Sequence, residues 1–362
     1  MFTSSILGWS EPRQSHLQSL ADPDLLPARV ASVDRGALTL LGALPDPLAP
    51  LVVPHRAPPG LAAPAAGDWV LLRVTAGAHV VDRLLPRTSL FVRKEAGRGS
   101  GAQPVAANVD RVLVVTAVGD DLSPGRIERY VTAIHAGGAR PIVVVNKADR
   151  PHDAEEVLTH VRAAAPATPV VQTSTLLAGG LDPLLALVPA PMTVALVGSS
   201  GVGKTSILNR LLGGAPGLAR ATSEVRSADD KGRHTTTRRE LVVAPSGLLI
   251  IDTPGVRELG LWDASAGLSA AFPDIEELAA ACRFSDCAHS GEPGCAVGAA
   301  VEEGSLPAER LLRYERLLRE IAHNDARADT ARAHDQKRRW KTIHKGQRDR
   351  QKLERKLGLK GW

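Results

Sequence analysis

Lys204 and Thr205 close a run that opens at Gly198 and passes through Ser199, Ser200, Gly201, Val202 and Gly203, with Ser206 next. The Gly-x-x-x-x-Gly-Lys-Thr spacing belongs to a loop whose successive backbone N–H groups cradle phosphate oxygens. In such a loop Lys204 reaches the terminal phosphates, and the Thr205 hydroxyl is a hard oxygen ligand for Mg2+. A second set, Asn146, Lys147, Ala148 and Asp149, has the residue types to read guanine. The Asp149 carboxylate can accept from the N1–H and the exocyclic amine of guanine, a donor pair that adenine lacks. Asn146 bonds the other base edge or ties loops together, and the Lys147 stem lies over the ring. Ser174, ahead of Gly180 and Leu181, is expected to offer a backbone N–H to the guanine carbonyl. Asp252 opens the segment that ends at Gly255. It is expected to hold Mg2+ through water, while the Gly255 N–H touches the γ-phosphate.

The order of these sets matters as much as their chemistry. A GTPase of the common arrangement meets the phosphate loop first and the base-reading tetrapeptide last. Here Asn146 to Asp149 come before Gly198, and Asp252 follows both. The pattern is that of a circularly permuted GTPase domain, whose phosphate-sensing segment runs straight into whatever follows it. Three short apolar runs carry the sets: Pro141 to Val145, Thr193 to Val197 and Leu248 to Ile251. Each reads as a buried parallel strand that ends at a site segment, where open α/β sheets bind ligands. A helical stretch from Ser206 to Leu212 follows the phosphate loop. Between that helix and Asp252 lies Lys231 to Thr237, polar and without periodicity. One threonine there would complete the Mg2+ shell, Thr236 first and Thr235 second. Val256 stands where many GTPases carry a glutamine that orients the attacking water. Valine cannot do so, so intrinsic hydrolysis is expected to be slow and raised by a partner. His234 is the nearest candidate to orient the water, and the catalytic set is Lys204, Thr236 and His234.

The flanks read as separate modules of a 362-residue α/β multi-domain chain, long enough for two to three domains. Residues 1–27 match no clear pattern. Five short β-rich runs (Ala28 to Asp34, Ala37 to Leu41, Leu51 to Pro54, Asp68 to Val74, His79 to Leu85) imply an N-terminal OB-type β-barrel over 28–95. Arg87, Arg93, Lys94 and Arg98 form a basic strip beyond it. A Gly-rich linker over 96–105 leads to the GTPase domain over 106–262, whose first strand is expected from Asp110 to Val115. All three cysteines of the chain then fall together, as Cys282, Cys287 and Cys295 with His289 among them. Three thiolates and one imidazole suit tetrahedral Zn2+, and four protein ligands leave no open position, so the site reads as structural. From Leu306 an amphipathic helix carries Leu311, Leu312, Tyr314, Leu317, Leu318 and Ile321. Residues 332–360 hold twelve Lys or Arg against three acids, an excess of nine that exceeds the chain's net +5. A one-sided run of this density fits a phosphate backbone, with Trp340, His344 and Trp362 free to stack on bases or to pack. Residues 263–362 are thus a zinc-binding helical domain with a basic tail. No run of eighteen or more apolar residues and no secretory leader is present, and a cytoplasmic protein without a membrane role is expected.

Together these pieces resemble the ribosome small-subunit-dependent GTPase A family, from about residue 28 onward. The segments that carry the likeness are Ala106 to Asp110, Asn146 to Asp149, Gly198 to Ser206, Gly232 to Thr237, Asp252 to Glu258, and Cys282 to His289 continuing to Cys295. The resemblance implies GTP hydrolysis stimulated by the small (30S) ribosomal subunit. It also implies a late role in that subunit's maturation, with a check of the decoding region and release of other assembly factors. Ribosomal RNA contacts, one structural Zn2+, Mg2+ with GTP and a monomeric protein complete the expectation. Two rivals stay open on the residues alone. One is an RNA-binding module that senses GTP or GDP with negligible catalysis. The other is a signalling GTPase whose basic tail meets anionic lipid.

Overall fold

The computed structural model describes residues 3–55, 63–94, 102–119, 122–213, 239–252, 261 and 263–326. His234, Thr235, Thr236, Gly255, Val256, Arg98 and the basic tail with Trp340, His344 and Trp362 lie outside the described residues. The chain opens with a 3-10 turn over Thr3–Leu7 and helix α1 over Glu11–Ser19. Each of the five expected β-rich runs then forms a strand: β1 Leu26–Asp34, β2 Ala37–Leu41, β3 Leu51–Pro54, β4 Trp69–Thr75 and β5 Ala78–Leu84. All their pairings are antiparallel. β1 lies between β2 and β4, β2 carries β3, and β4 carries β5. Val30, Leu38, Leu40, Val53, Val70 and Leu72 fill the space they enclose. Register shifts at Val30/Ser32 and Leu71/Leu72 bend the strands that must curl around this small core.

The segment read as a Gly-rich linker is partly a strand. β6 Leu90–Lys94 pairs antiparallel with β7 Ala102–Ala107. Ala106 and Ala107 are buried, and their small side chains let this ribbon lie flat on the core. Arg87 is likewise not part of a free basic strip. Its guanidinium donates to both oxygens of the fully buried Asp68, at 2.8 and 2.7 Å.

A doubly wound sheet follows. Its elements are β8 Arg111–Ala117, α2 Pro124–Ala136, β9 Arg140–Asn146, α3 Ala154–Ala164, β10 Val170–Gln172, α4 Asp182–Leu185, β11 Thr193–Gly198, α5 Lys204–Leu211, β12 Glu240–Val243 and β13 Leu249–Asp252. Strand order is β10-β9-β8-β11-β13-β12, parallel except for β12. The near-continuous Val, Leu and Ile runs of β8, β9 and β11 are buried on both faces, as a parallel sheet covered by helices requires. At its far edge β12 pairs with barrel strand β1 at Glu240 and Ser32, so the two modules share one continuous sheet.

The C-terminal part is helical: α6 Ser265–Ala271, α7 Pro273–Ala279, α8 Ala296–Glu302 and α9 over 308–326. Of the expected α9 stripe, Leu311, Leu317 and Ile321 are buried, whereas Leu312 and Leu318 face solvent at 60% and 46% exposure. The helix needs only a narrow apolar seam because charge fixes the rest. Arg310, almost wholly buried, donates to Glu128 of α2 at 3.0 Å and to both oxygens of Asp274 at 2.5 and 2.7 Å. Arg313 takes the other Glu128 oxygen at 2.7 Å. Burial pushes the Glu128 carboxyl above its ordinary range although both guanidiniums pull it back. Removing one partner from such a buried network costs about 3–5 kcal/mol, because a charge stays behind unpaired.

Candidate nucleotide site and zinc centre

β9, β11 and β13 are not neighbours in sequence order, yet their carboxyl ends fall on one edge of the sheet. Those ends deliver Asn146, Gly198 and Asp252. The phosphate loop leaves β11 at Gly198, where φ is +140° and a Cβ would lie 2.1 Å from the Val115 carbonyl oxygen. It enters α5 through Gly203, at φ +98°. A Cβ there would lie 2.2 Å from Asn146 Nδ2, so only glycine lets the base-reading segment approach. Ser199, Ser200, Gly201 and Val202 make the turn between them, and Thr205 and Ser206 stand in the first turn of α5. Lys204 Nζ folds back onto its own loop, donating to Gly198 O at 2.8 Å and to Ser199 O.

The base-reading segment is tied to that loop directly. Asn146, buried, donates from Nδ2 to Val202 O at 2.9 Å and accepts from the Thr173 hydroxyl at 3.2 Å. Lys147 Nζ donates to Gly201 O at 2.6 Å, and its backbone is left-handed at φ 62°. Ala148 N–H donates to Thr173 O at 3.0 Å. Asp149 is exposed, with its carboxylate open to a ligand. The Ser174 hydroxyl donates to Asp149 at 2.6 Å and holds that carboxyl below the ordinary aspartate range. The same hydroxyl oxygen accepts from the N–H groups of Leu176 and Leu177 at 3.1 and 3.3 Å.

The Ser174 backbone N–H, expected to serve a base carbonyl, donates to Gly180 O at 3.1 Å in this structure. Its hydroxyl holds the Asp149 carboxylate. Two partners escaped the sequence reading. Thr173 was hidden because its work is done by a side chain one residue before the motif. Arg126 was hidden by distance in the chain: its guanidinium donates to the Ser199 hydroxyl at 2.5 Å from the start of α2. The Thr205 hydroxyl and Asp252 carboxylate, on α5 and β13, are hard oxygen donors of the kind Mg2+ takes.

In the C-terminal part the four sulfur and nitrogen residues converge. The ligand atoms of Cys282, Cys287, His289 and Cys295 all lie within 4.8 Å of one another. His289 Nδ1 is 3.7 Å from Cys282 Sγ and 3.5 Å from Cys295 Sγ. A tetrahedral Zn2+ with bonds of about 2.3 Å to sulfur and about 2.0 Å to nitrogen sets such pairs about 3.5 Å apart. The residues fit the ion. The loop is shaped for it: His289 takes a left-handed φ of 59°, and Glu292 accepts from Ala288 N and Ser290 N on either side of it, at 3.0 and 2.7 Å. Cys295 does double duty, since its sulfur accepts from Gly298 N–H at 3.2 Å and caps α8.

Fold and site together define a circularly permuted P-loop protein joined to a five-stranded barrel and a three-cysteine, one-histidine metal module. Residues 84–262 match the family model described as RsgA GTPase. The small ribosomal subunit biogenesis GTPase RsgA of Opitutus terrae is 41% identical over 366 residues, spanning 97% of this chain and 99% of the relative. The protein of the same name from Streptomyces avermitilis is 40% identical, spanning 98% and 95%. Among solved structures, YjeQ from Thermotoga maritima shares the fold at a TM-score of 0.62 and 24% identity, over 82% of this chain and 99% of that one. YloQ, described as a circularly permuted GTPase, does so at 0.59. The chain belongs to the RsgA GTPase family.

Proposed function

We propose that this chain hydrolyses GTP to GDP and phosphate while bound to the small ribosomal subunit, late in that subunit's assembly. The observation that carries the reading is the direct joining of Asn146 and Lys147 to the carbonyls of Val202 and Gly201, which makes one site of a base reader and a phosphate cradle. The relatives' name, small ribosomal subunit biogenesis GTPase, supplies the partner. The working protein is a cytoplasmic monomer that checks the decoding region, contacts ribosomal RNA and releases other assembly factors. Among the described residues no helix is long and apolar enough to cross a membrane.

In this reading Asp149 accepts from guanine, Asn146 and Lys147 lock its segment to the loop, and Gly198 to Ser206 wrap the phosphates. Thr205, Thr236 and Asp252 would hold Mg2+, which when bound spreads the negative charge of the β- and γ-phosphates. Lys204 leaves its own loop carbonyls for the phosphate oxygens. Gly255 senses the γ-phosphate, and His234 orients water where Val256 cannot. Loss of the γ-phosphate frees the segments around Thr236 and Gly255, and the second of these leads directly to the zinc module. The proposed division is an extension over 1–27, a barrel over 28–95, the GTPase domain over 106–262 and the zinc domain with its tail over 263–362, with the ribbon of β6 and β7 bridging barrel and GTPase domain where a linker over 96–105 was expected.

Val256 also favours a second reading, a nucleotide sensor with negligible catalysis. One measurement separates the two: phosphate release from GTP with purified small subunits, with large subunits and with neither. A rise with small subunits alone is expected. Unchanged turnover under all three conditions would leave the sensor.

A further inference from the structure

The phosphate-sensing segment starts at Asp252 on β13, and beyond Gly255 the chain reaches Leu261 and Asp263. Both of these are held by α9. Asn324 donates from Nδ2 to Leu261 O at 3.1 Å, and Asp325 Oδ1 accepts from the Asp263 N–H at 2.9 Å. Two consecutive side chains at the end of one helix thus grip two main-chain groups where the chain comes out of that segment. Leu261 is fully buried, and Asp263 takes a left-handed φ of 49°, uncommon for a residue that carries a side chain.

The packing on either side decides where a displacement of this exit can go. Just after Asp263, Ala264 is fully buried and α6 presses on α2: a Cβ at Gly267 would lie 2.4 Å from Thr132 O and 2.6 Å from Ala136 N. α6 therefore has no room to slide. The first half of α9 is equally fixed, because Arg310 and Arg313 hold the buried Glu128 of α2. The last turn of α9 is different. Between Ile321 and the end of the described helix at residue 326 no side chain is fully buried. The Arg129–Glu320 ion pair just before it is partly exposed, and such pairs contribute little. Packed junctions respond by switching between discrete arrangements, so a pull on Leu261 and Asp263 is taken up by the last turn of α9. The basic run over 332–360 follows that turn in the chain.

We propose that Asn324 and Asp325 form a latch that couples the nucleotide in the site to the end of α9 and the basic run behind it. The inference rests on the GTP-hydrolase reading above, in which Gly255 senses the γ-phosphate. With GTP and with GDP the exit at Leu261 and Asp263 takes two positions. The last turn of α9 docks on one and lets go of the other. The two nucleotides thus differ in a contact far from the phosphates, and that difference is what lets each set its own affinity for RNA. Neither latch residue needs to touch nucleotide or RNA to do this.

The test uses the full chain as wild type, as the double variant Asn324→Ala with Asp325→Ala, and as Asp325→Asn. Alanine is the best helix former, so α9 keeps its backbone, while Asp325→Asn keeps a side-chain oxygen to accept from Asp263. Each protein is loaded with GDP or with a non-hydrolysable GTP analogue. Amide hydrogen exchange over 318–326 and affinity for small subunits are then measured. In wild type and Asp325→Asn the exchange should differ between the two nucleotides, and in the double variant it should be fast with both. Subunit affinity should differ about fivefold or more between nucleotides in wild type, and less than about twofold in the double variant. GDP affinity without subunits should stay within about threefold in all three, since the latch lies away from the nucleotide. A double variant that keeps the wild-type dependence on nucleotide overturns the proposal. So does wild-type exchange over 318–326 that is the same with both nucleotides, and this measurement decides alone should the double variant fail to fold. A wild-type chain that binds no guanine nucleotide would instead sink the hydrolase reading, and the latch with it.

Discussion

In the proposed reading, specificity for guanine rests on one carboxylate, and that carboxylate is governed by a neighbour outside its own motif. The Ser174 hydroxyl, buried and fixed by two loop N–H groups, donates to Asp149 and stabilises its charged form. A carboxyl depressed in this way keeps its charge-dependent contribution at every pH above its unfolded value, and loses it only as pH falls through the depressed one. In wild type, GDP affinity should therefore persist as pH falls through the ordinary aspartate range. Ser174→Ala removes the donor, so the acid limb of GDP binding should move to higher pH, and neutral-pH affinity should drop about tenfold. Titrating GDP affinity against pH for both proteins checks this; superimposable acid limbs would show that Ser174 only shapes the loop. Asp149 was singled out in the sequence because the chemistry proposed for it lies in the motif. The hydroxyl's role was not, because hydrogen-bond direction depends on loop closure through Gly180, which no spacing encodes.

At the scale of elements, what was legible followed periodicity, and what was missed followed ion pairing. The Val and Leu runs of β8, β9 and β11 announced buried strands, and they form. Leu312 and Leu318 had helical spacing yet lie outside the seam, because Arg310 and Arg313 set the rotation of α9 through Glu128. The same contrast decides how the zinc loop works. Its residues bury little apolar surface of their own, since Cys282, Cys287 and His289 are only partly buried and Phe284 is 46% exposed. Metal bonds must supply the stability that packing does not. Cys295 distinguishes metal ligation from helix capping, as it does both. Serine at this position can still cap α8 but is a poor zinc ligand. Cys295→Ser should lose the ion and melt like the chelator-treated wild type, both less stable by more than about 3 kcal/mol. Metal content and thermal unfolding, with and without a strong chelator, test this. A Cys295→Ser protein as stable as the untreated wild type would reduce the sulfur to a cap.

The whole molecule is held together at a junction that composition did not reveal. Residues 3–20 carried no clear pattern, yet they wedge between the barrel and the GTPase-like sheet. Leu7 is buried there, Trp9 packs edge-on against Trp69 at 4.7 Å between ring centroids, and Arg13 donates to Asn108 at 3.1 Å. The centre of the junction is Arg29 on β1. It is fully buried and donates to Leu7 O at 2.5 Å, Gly67 O at 3.2 Å, Asn108 O at 3.2 Å and the Thr193 hydroxyl at 2.9 Å. Burial pushes it down to about 9, so it remains charged at neutral pH. One side chain thereby joins the N-terminal turn, the barrel and β11, the strand that leads into the phosphate loop. Sequence patterns could not show this, since a lone arginine in a strand reads as a surface residue and its partners are mostly backbone carbonyls far away in the chain. Methionine at position 29 would preserve much of the volume and donate nothing, leaving buried acceptors unpaired at a cost of about 1–3 kcal/mol for each. Arg29→Met should therefore lose more than about 3 kcal/mol, concentrated at the contact between the two modules. If that contact is what makes them unfold together, calorimetry should show one transition in wild type and two in the variant, the earlier belonging to the barrel. GDP should raise only the later one, because a ligand stabilises the part that binds it. A variant that unfolds in one step near the wild-type temperature would mean that the shared strand pairing of β1 and β12 suffices to hold barrel and sheet as a unit, with Arg29 a bystander.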